Sequence, residues 1–236
     1  MRTKITYTIL LVTILTIGRS QSLYYRSLTD SILNTFKTDS SNIEIKETDP
    51  LYKYRAYFNY VHLMHSKVEY KKLIISSGRS KKIASVQSKG FAAIASSENR
   101  VYTIHFSNKA PSLIDTITFE KLSTDAKIAL ISKQFSMVHE YSTCGFFEVI
   151  GMYFKKRSMS RSREMNKDNN LRSIEAGLGH QMIAYTLEVF DKIQEENWKD
   201  KKAFKKYYKR NTYDIMSYDE IKTYMSDYPV YMQTYK

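Results

Sequence analysis

A single cysteine, Cys144, stands in 236 residues. No internal disulfide can form, so the fold has to be held by packing and hydrogen bonding. Proline and glycine are scarce, with 3 and 7 residues, which argues against a loop-rich all-β protein. The chain contains neither G-x-x-x-x-G-K-[ST] nor G-x-G-x-x-G, so the phosphate-cradling loops built on those patterns are excluded. No internal repeat and no low-complexity linker divides it. Beyond the N-terminus no run approaches the roughly 20 apolar residues of a membrane span.

Acidic residues are outnumbered. Asp+Glu number 24 against 37 Lys+Arg, a net charge of +13. A charge of this size favours acidic partners such as nucleic acid or anionic envelope surfaces, and it also keeps a protein soluble. Three of the cations lie in a segment that reads as an export signal. Arg2 and Lys4 precede the apolar run Ile5 to Ile17, and Gly18 to Ser22 offers small residues for cleavage. Residues 1–22 are therefore expected to be a signal peptide and 23–236 a single domain. An uncleaved N-terminal anchor is the other reading. The mature chain is expected outside the cytoplasm, periplasmic or extracellular, which makes nucleic acid an unlikely partner.

Pattern then predicts elements. Apolar spacing suggests a helix over 23–36, and Ile43 to Ile45 a short strand. The aromatic stretch 51–68 fits helix or strand. Lys72 to Ser76 and Ile83 to Val86 read as strands about a turn at Ser77 to Ser80. Val101 to Phe106 alternates β-branched and aromatic residues, the clearest strand, with a loop expected at 107–112 and a sheet extension at 114–119. Ser123, Thr124 and Asp125 are N-cap candidates for a helix running to about Tyr141. Further helical turns are expected at 146–156 and a basic exposed loop at 158–162. A long helix is expected from Glu164 to Ile193, and short helices at 202–209 and 218–224. Gly177 and Gly179 inside the long helix cost about 1 kcal/mol each against alanine, which points to close contact or a kink.

The helix ending at Glu140-Tyr141, the carboxylates Glu164 and Asp168, and the stretch Gly177-Leu178-Gly179-His180-Gln181 together resemble the active-site region of secreted bacterial zincin-like metallopeptidases. The resemblance spans about half the chain, from Val101 to Met225, and includes the lead-in Leu122 to Ile131 and a Tyr/Asp-Glu-Ile pattern near Tyr208 to Ile221. In that family the first helix carries H-E-x-x-H and the second an E-x-x-x-D pair before G-L-G-x-Q-L. Here the H-E-x-x-H slot reads Lys133-Gln134-Phe135-Ser136-Met137. Two histidines at i and i+4 would share a helix face and reach one metal. A protonated lysine repels Zn²⁺, a thioether prefers softer metals, and glutamine cannot take a proton from water.

The resemblance therefore implies a degenerate site at Lys133, Gln134, Met137, Glu164 and Asp168, with no catalytic residues, no metal and no cofactor. It also implies that Lys133, on the facing helix, either pairs with Glu164 or Asp168 or reaches solvent. His62 and His65, three apart, lack a third ligand at fixed spacing, and Cys144 has no catalytic partner at a known spacing. No Ser/His/Asp arrangement can be picked out. The basic stretches Lys155 to Arg163 and Lys199 to Arg210 read as solvated helix faces, with Phe204, Tyr207 and Tyr208 interleaved in the second.

The expected fold is α+β, a small N-terminal mixed sheet packed on a zincin-like helix pair. The expected function is that of an exported, catalytically inactive zincin-like homologue, binding an unknown protein or envelope component or serving a structural role. Peripheral contact with an anionic surface is compatible with the charge. An active hydrolase with a non-standard site and a basic module for an anionic polymer are the alternatives.

Overall fold

The computed structural model describes residues 24–36, 42–80, 82–88, 99–109, 117–145, 148, 151, 159–195, 201–202, 204–205 and 215–232. The expected signal segment, most of 146–158, the 114–116 part of the sheet extension and residues 206–209 lie outside the described residues. Among the described residues no helix is long and apolar enough to cross a membrane.

In chain order the elements are α1 (Asp30–Leu33), β1 (Ile43–Ile45), a 3₁₀ turn (Pro50–Tyr54), α2 (Arg55–Met64), β2 (Lys72–Arg79), β3 (Ala84–Ser88), β4 (Val101–Lys109), α3 (Thr124–Thr143), α4 (Met159–Ser173), a π turn (Ile174–Leu178), α5 (Gly179–Glu195) and α6 (Tyr218–Met225). The architecture is α+β.

The strands form one mixed sheet in the order β1-β2-β4-β3. β1, β2 and β4 run parallel, and β3 pairs antiparallel with β4 as an edge. The register aligns Ile45, Ile75, Ile104 and Val86 in one row across all four strands. All four are buried, as are Leu73, Tyr102 and Phe106 on the same face. The alternate residues Ile74, Ser76, Thr103 and His105 are half-buried. This period of two sets the sheet's packed face, against which the helices bury theirs.

Several expectations need correction. The helix over 23–36 shrinks to Asp30–Leu33, capped by Thr29. Long-range bonds hold the chain before it instead: Leu28 N and Ser27 Oγ donate to Asp125 at 2.9 and 3.0 Å. The turn expected at Ser77 to Ser80 is largely strand. β2 runs through Arg79, and β4 lies between β2 and β3. Gly78 is there because a Cβ at that position would lie 3.0 Å from His105 Cε1 on the neighbouring strand. β4 likewise extends past Phe106 to Lys109, through the start of the expected loop. Phe119 falls in a 3₁₀ turn, Phe119–Lys121, rather than in the sheet. The loop expected at 158–162 is helical from Met159, and the single helix expected to Ile193 is interrupted by the π turn.

α3 is the centre of the molecule. Residues 126–136 are buried without a break, because α2, α4, α5 and β3 all pack around it. Ser123 Oγ caps it, accepting from Ala126 N at 3.3 Å. The far end is closed by Arg100, which is buried and donates from Nη1 to the carbonyls of Tyr141 at 2.6 Å and Cys144 at 2.7 Å. A guanidinium at a helix C-terminus satisfies carbonyls that have no intrahelical partner and opposes the dipole.

Candidate functional site

The five positions expected to form a degenerate site do not share one environment. Lys133 is buried, and its Nζ lies 5.3 Å from the centroid of the Tyr185 ring on α5. Gln134 is also buried, and its Oε1 has no hydrogen-bond partner among the described residues. Met137 is half-buried against the core. Glu164 and Asp168 are exposed on α4. Lys167, between them in sequence, lies 5.5 Å from the Tyr224 ring centroid. Exposed carboxylates stay hydrated, so nothing at these two positions demands a buried counter-cation. Among the described residues no three His, Cys, Asp or Glu side chains are grouped to hold a metal ion.

What α4 does bury is offset from the carboxylate pair. Among the side chains described on α4, Met165, Asn166, Asn169, Asn170 and Ser173 are buried, a spacing of one helical face. Asn169 Nδ2 donates to Glu140 Oε2 at 3.0 Å, and Arg172 Nη1 donates to Asn169 Oδ1 at 3.1 Å while lying 3.9 Å from Glu140. Ser173 Oγ donates to the Asn169 carbonyl at 3.2 Å, which leaves Ser136 as donor in the 3.1 Å contact between the two hydroxyls. The α3–α4 seam is thus a hydrogen-bonded polar layer rather than an apolar one. The sequence signal that could have found it is the recurrence of Asn and Ser at helical spacing over 166–173, beside the charged pair.

The retained parts of the resemblance have structural employment. Glu140 accepts from Asn169, and Tyr141 stacks on Tyr102 with ring centroids 6.3 Å apart. Asp125 ties Gln181 Nε2 at 3.2 Å, and Gln181 also donates to the Tyr25 carbonyl at 3.0 Å. Gly177 adopts φ 87°, with the Tyr24 ring where a Cβ would project. Gly179 lets Met225 and Tyr231 approach, a built Cβ lying 2.7 Å from Met225 Cγ. Contact and kink, the two readings open for the glycine pair, both occur.

A further buried lysine repeats the pattern of Lys133. Lys127 donates from Nζ to the Leu122 carbonyl and lies 5.4 Å from the Tyr54 ring centroid. Burial lowers its pKa, with Glu188 and Asp30 opposing the shift. Near it, Glu188 accepts from Ser123 Oγ at 2.6 Å and from Lys192 at 2.5 Å. Burial pushes the Glu188 carboxyl up, but Lys192 and Ser123 together outweigh it and hold it below the usual range.

Sequence reasoning missed one pairing. His65 Nε2 and Ser132 Oγ share a hydrogen bond of 2.8 Å between α2 and α3. Both residues are buried, Ser132 completely, so no substrate reaches the hydroxyl and the pair is not a nucleophile with its base. Cys144 is half-buried, and burial foremost, with Glu148 and Glu140, pushes its thiol up and away from the reactive thiolate.

No family model matches the chain, and no curated protein or solved structure matches it either.

Proposed function

We propose that the chain is an exported, catalytically inactive zincin-like protein that acts by binding a partner or as a structural element of the cell envelope. The observation that carries this reading is Lys133. By the resemblance it stands at the family's first metal-binding histidine; in the structure it is buried and its ammonium lies over the face of Tyr185. A cation built into that position opposes a dication, and neighbouring Gln134 supplies no proton acceptor for water.

Two features support a scaffold role. α3 is enclosed along 126–136, leaving no side of that stretch open to a peptide. The pieces that resemble the enzymes make caps, seams and close contacts around it.

The test is elemental analysis of the full chain purified from its native host, together with hydrolysis of unfolded protein substrates. Substoichiometric zinc and background hydrolysis are expected, with the chain starting near Leu23. One zinc per chain with activity abolished by a chelator would overturn the reading. Hydrolysis without metal would replace it with a non-standard hydrolase, and salt-sensitive retention on an anionic polymer with a basic binding module.

A further inference from the structure

Two histidines sit at the contact between α2 and α3, and a third on α3 acts on one of them electrostatically. His62 and His65 lie on and just after α2, and His139 lies on α3. The His62 and His65 rings have centroids 6.3 and 6.1 Å from that of Phe135, a fully buried side chain of α3. His65 bonds to Ser132 across the contact, and His62 Nδ1 shares a 2.8 Å hydrogen bond with Tyr70 OH further along the connection to β2. The segment 62–70 is therefore fastened at two imidazoles, one to α3 and one to its own far end.

Among the described residues, the following charged and titratable groups act on the cluster. From α2 comes His62, from the following connection Lys67, from α3 His139, from α4 Arg172 and from the π turn Glu175. Lys67 and Arg172 both oppose a proton on His139, and Glu175 alone favours one. Among the described residues no carboxylate hydrogen-bonds any of the three rings. Glu140, the nearest carboxylate in sequence, is engaged by Asn169 and Arg172.

We propose that this contact is an acid-release latch: segment 62–70 is held on α3 while the three imidazoles are neutral, and proton uptake frees it and uncovers the apolar surface around Phe135. The physical reason is desolvation. At His65, which is buried, the neutral ring fills the space as an aromatic with one hydrogen bond to Ser132, whereas an imidazolium there would lack both water and a hydrogen-bonded carboxylate. Burial first, then His139 and His62, lowers His65 to about 3. Burial foremost also lowers His62 and His139. The sign follows from linkage. The closed form binds fewer protons than the open form below about pH 6.5, so closure is strongest above that value and weakens as pH falls towards 3.

The experiment is amide hydrogen exchange of the full chain between pH 7 and 4, corrected for intrinsic rates, followed in peptides covering 61–70 and 128–140. His65 alone predicts that opening rises about tenfold per pH unit below about pH 6, and the other two imidazoles steepen the dependence. His65→Gln keeps a polar group but cannot titrate, so its dependence should be shallower by one proton. Protection in these peptides that stays flat from pH 6 to 4 would overturn the proposal. So would an unchanged dependence in the folded variant. Histidine-ring NMR titration of the unsubstituted protein gives an independent readout: His65 should resist protonation until the segment opens. A ring titrating near 6.5 with exchange protection intact would also end the idea.

Discussion

Tyr231 sits over Gly179, its hydroxyl accepting from the Gly179 amide at 2.7 Å while donating to the Ile174 carbonyl. The two backbone groups bracket the π turn Ile174–Leu178. One phenol from a 3₁₀ turn at Pro229–Tyr231 thus satisfies a donor and an acceptor at an interruption of the helix. It couples residues 52 and 57 positions apart.

Tyr231→Phe keeps the ring and removes both bonds. The expected cost is about 1–3 kcal/mol, the range for stranding buried polar groups. Urea unfolding should show a lower midpoint with an unchanged slope. A shift below about 0.5 kcal/mol would mean that water replaces the phenol.

Gly177→Ala should be more damaging than Gly179→Ala. Gly177 has φ 87°, and the added Cβ would lie 2.3 Å from Tyr24 ring atoms. A left-handed conformation alone costs an alanine about 1–2 kcal/mol. At Gly179 the obstruction is mainly the flexible Met225 side chain, and alanine recovers up to about 1 kcal/mol of helix propensity. Thermal melts of the two variants give the order directly. The reverse order would show that Met225 and Tyr231 cannot yield.

Lys133 should couple energetically to Tyr185 and not to the carboxylates of α4. A double-mutant cycle of Lys133→Met with Tyr185→Leu is expected to give about 0.5–2 kcal/mol, as for a desolvated cation over an aromatic face. Cycles of Lys133→Met with Glu164→Gln or Asp168→Asn are expected within about 0.5 kcal/mol of additivity, since both carboxylates are exposed. Coupling above about 1 kcal/mol to either carboxylate would restore the ion pair that the family resemblance suggested.

Glu188 should contribute to the acid limb of stability. Its carboxyl is held below 4.5 in the folded chain by Lys192 and Ser123 acting against burial. A depressed carboxylate stabilises above its unfolded value and loses that contribution as pH falls below 4.5. Glu188→Gln should lower stability at pH 7 and flatten the dependence between pH 4.5 and 3. A parallel displacement of the whole curve would show that the side chain's packing, not its charge, is what matters.

Parts of this protein were legible in the residues because the signal was local. Ser123 caps α3 and Cys144 ends it, since a hydroxyl N-cap and an interrupted pattern act within one turn. β1 and the alternating core of β4 followed from β-branched and aromatic content. The glycine pair announced a break because glycine in a helix interior is unfavourable wherever it stands.

What the sequence could not decide was which side chains meet. Apolar spacing over 23–36 suggested one helix, but the carboxylate of Asp125, about 97 residues away, draws that chain into another path. The E-x-x-x-D pair looked like the business face of α4, yet packing rotates Asn166, Asn169 and Ser173 inward and leaves Glu164 and Asp168 in water. His65 and Ser132 are 67 residues apart, and only the docking of α2 on α3 makes them a pair. Caps, turns and alternation depend on neighbours in the chain. Burial, and with it the lowered pKa of His65, depends on neighbours in space, as does the lowered pKa of Glu188.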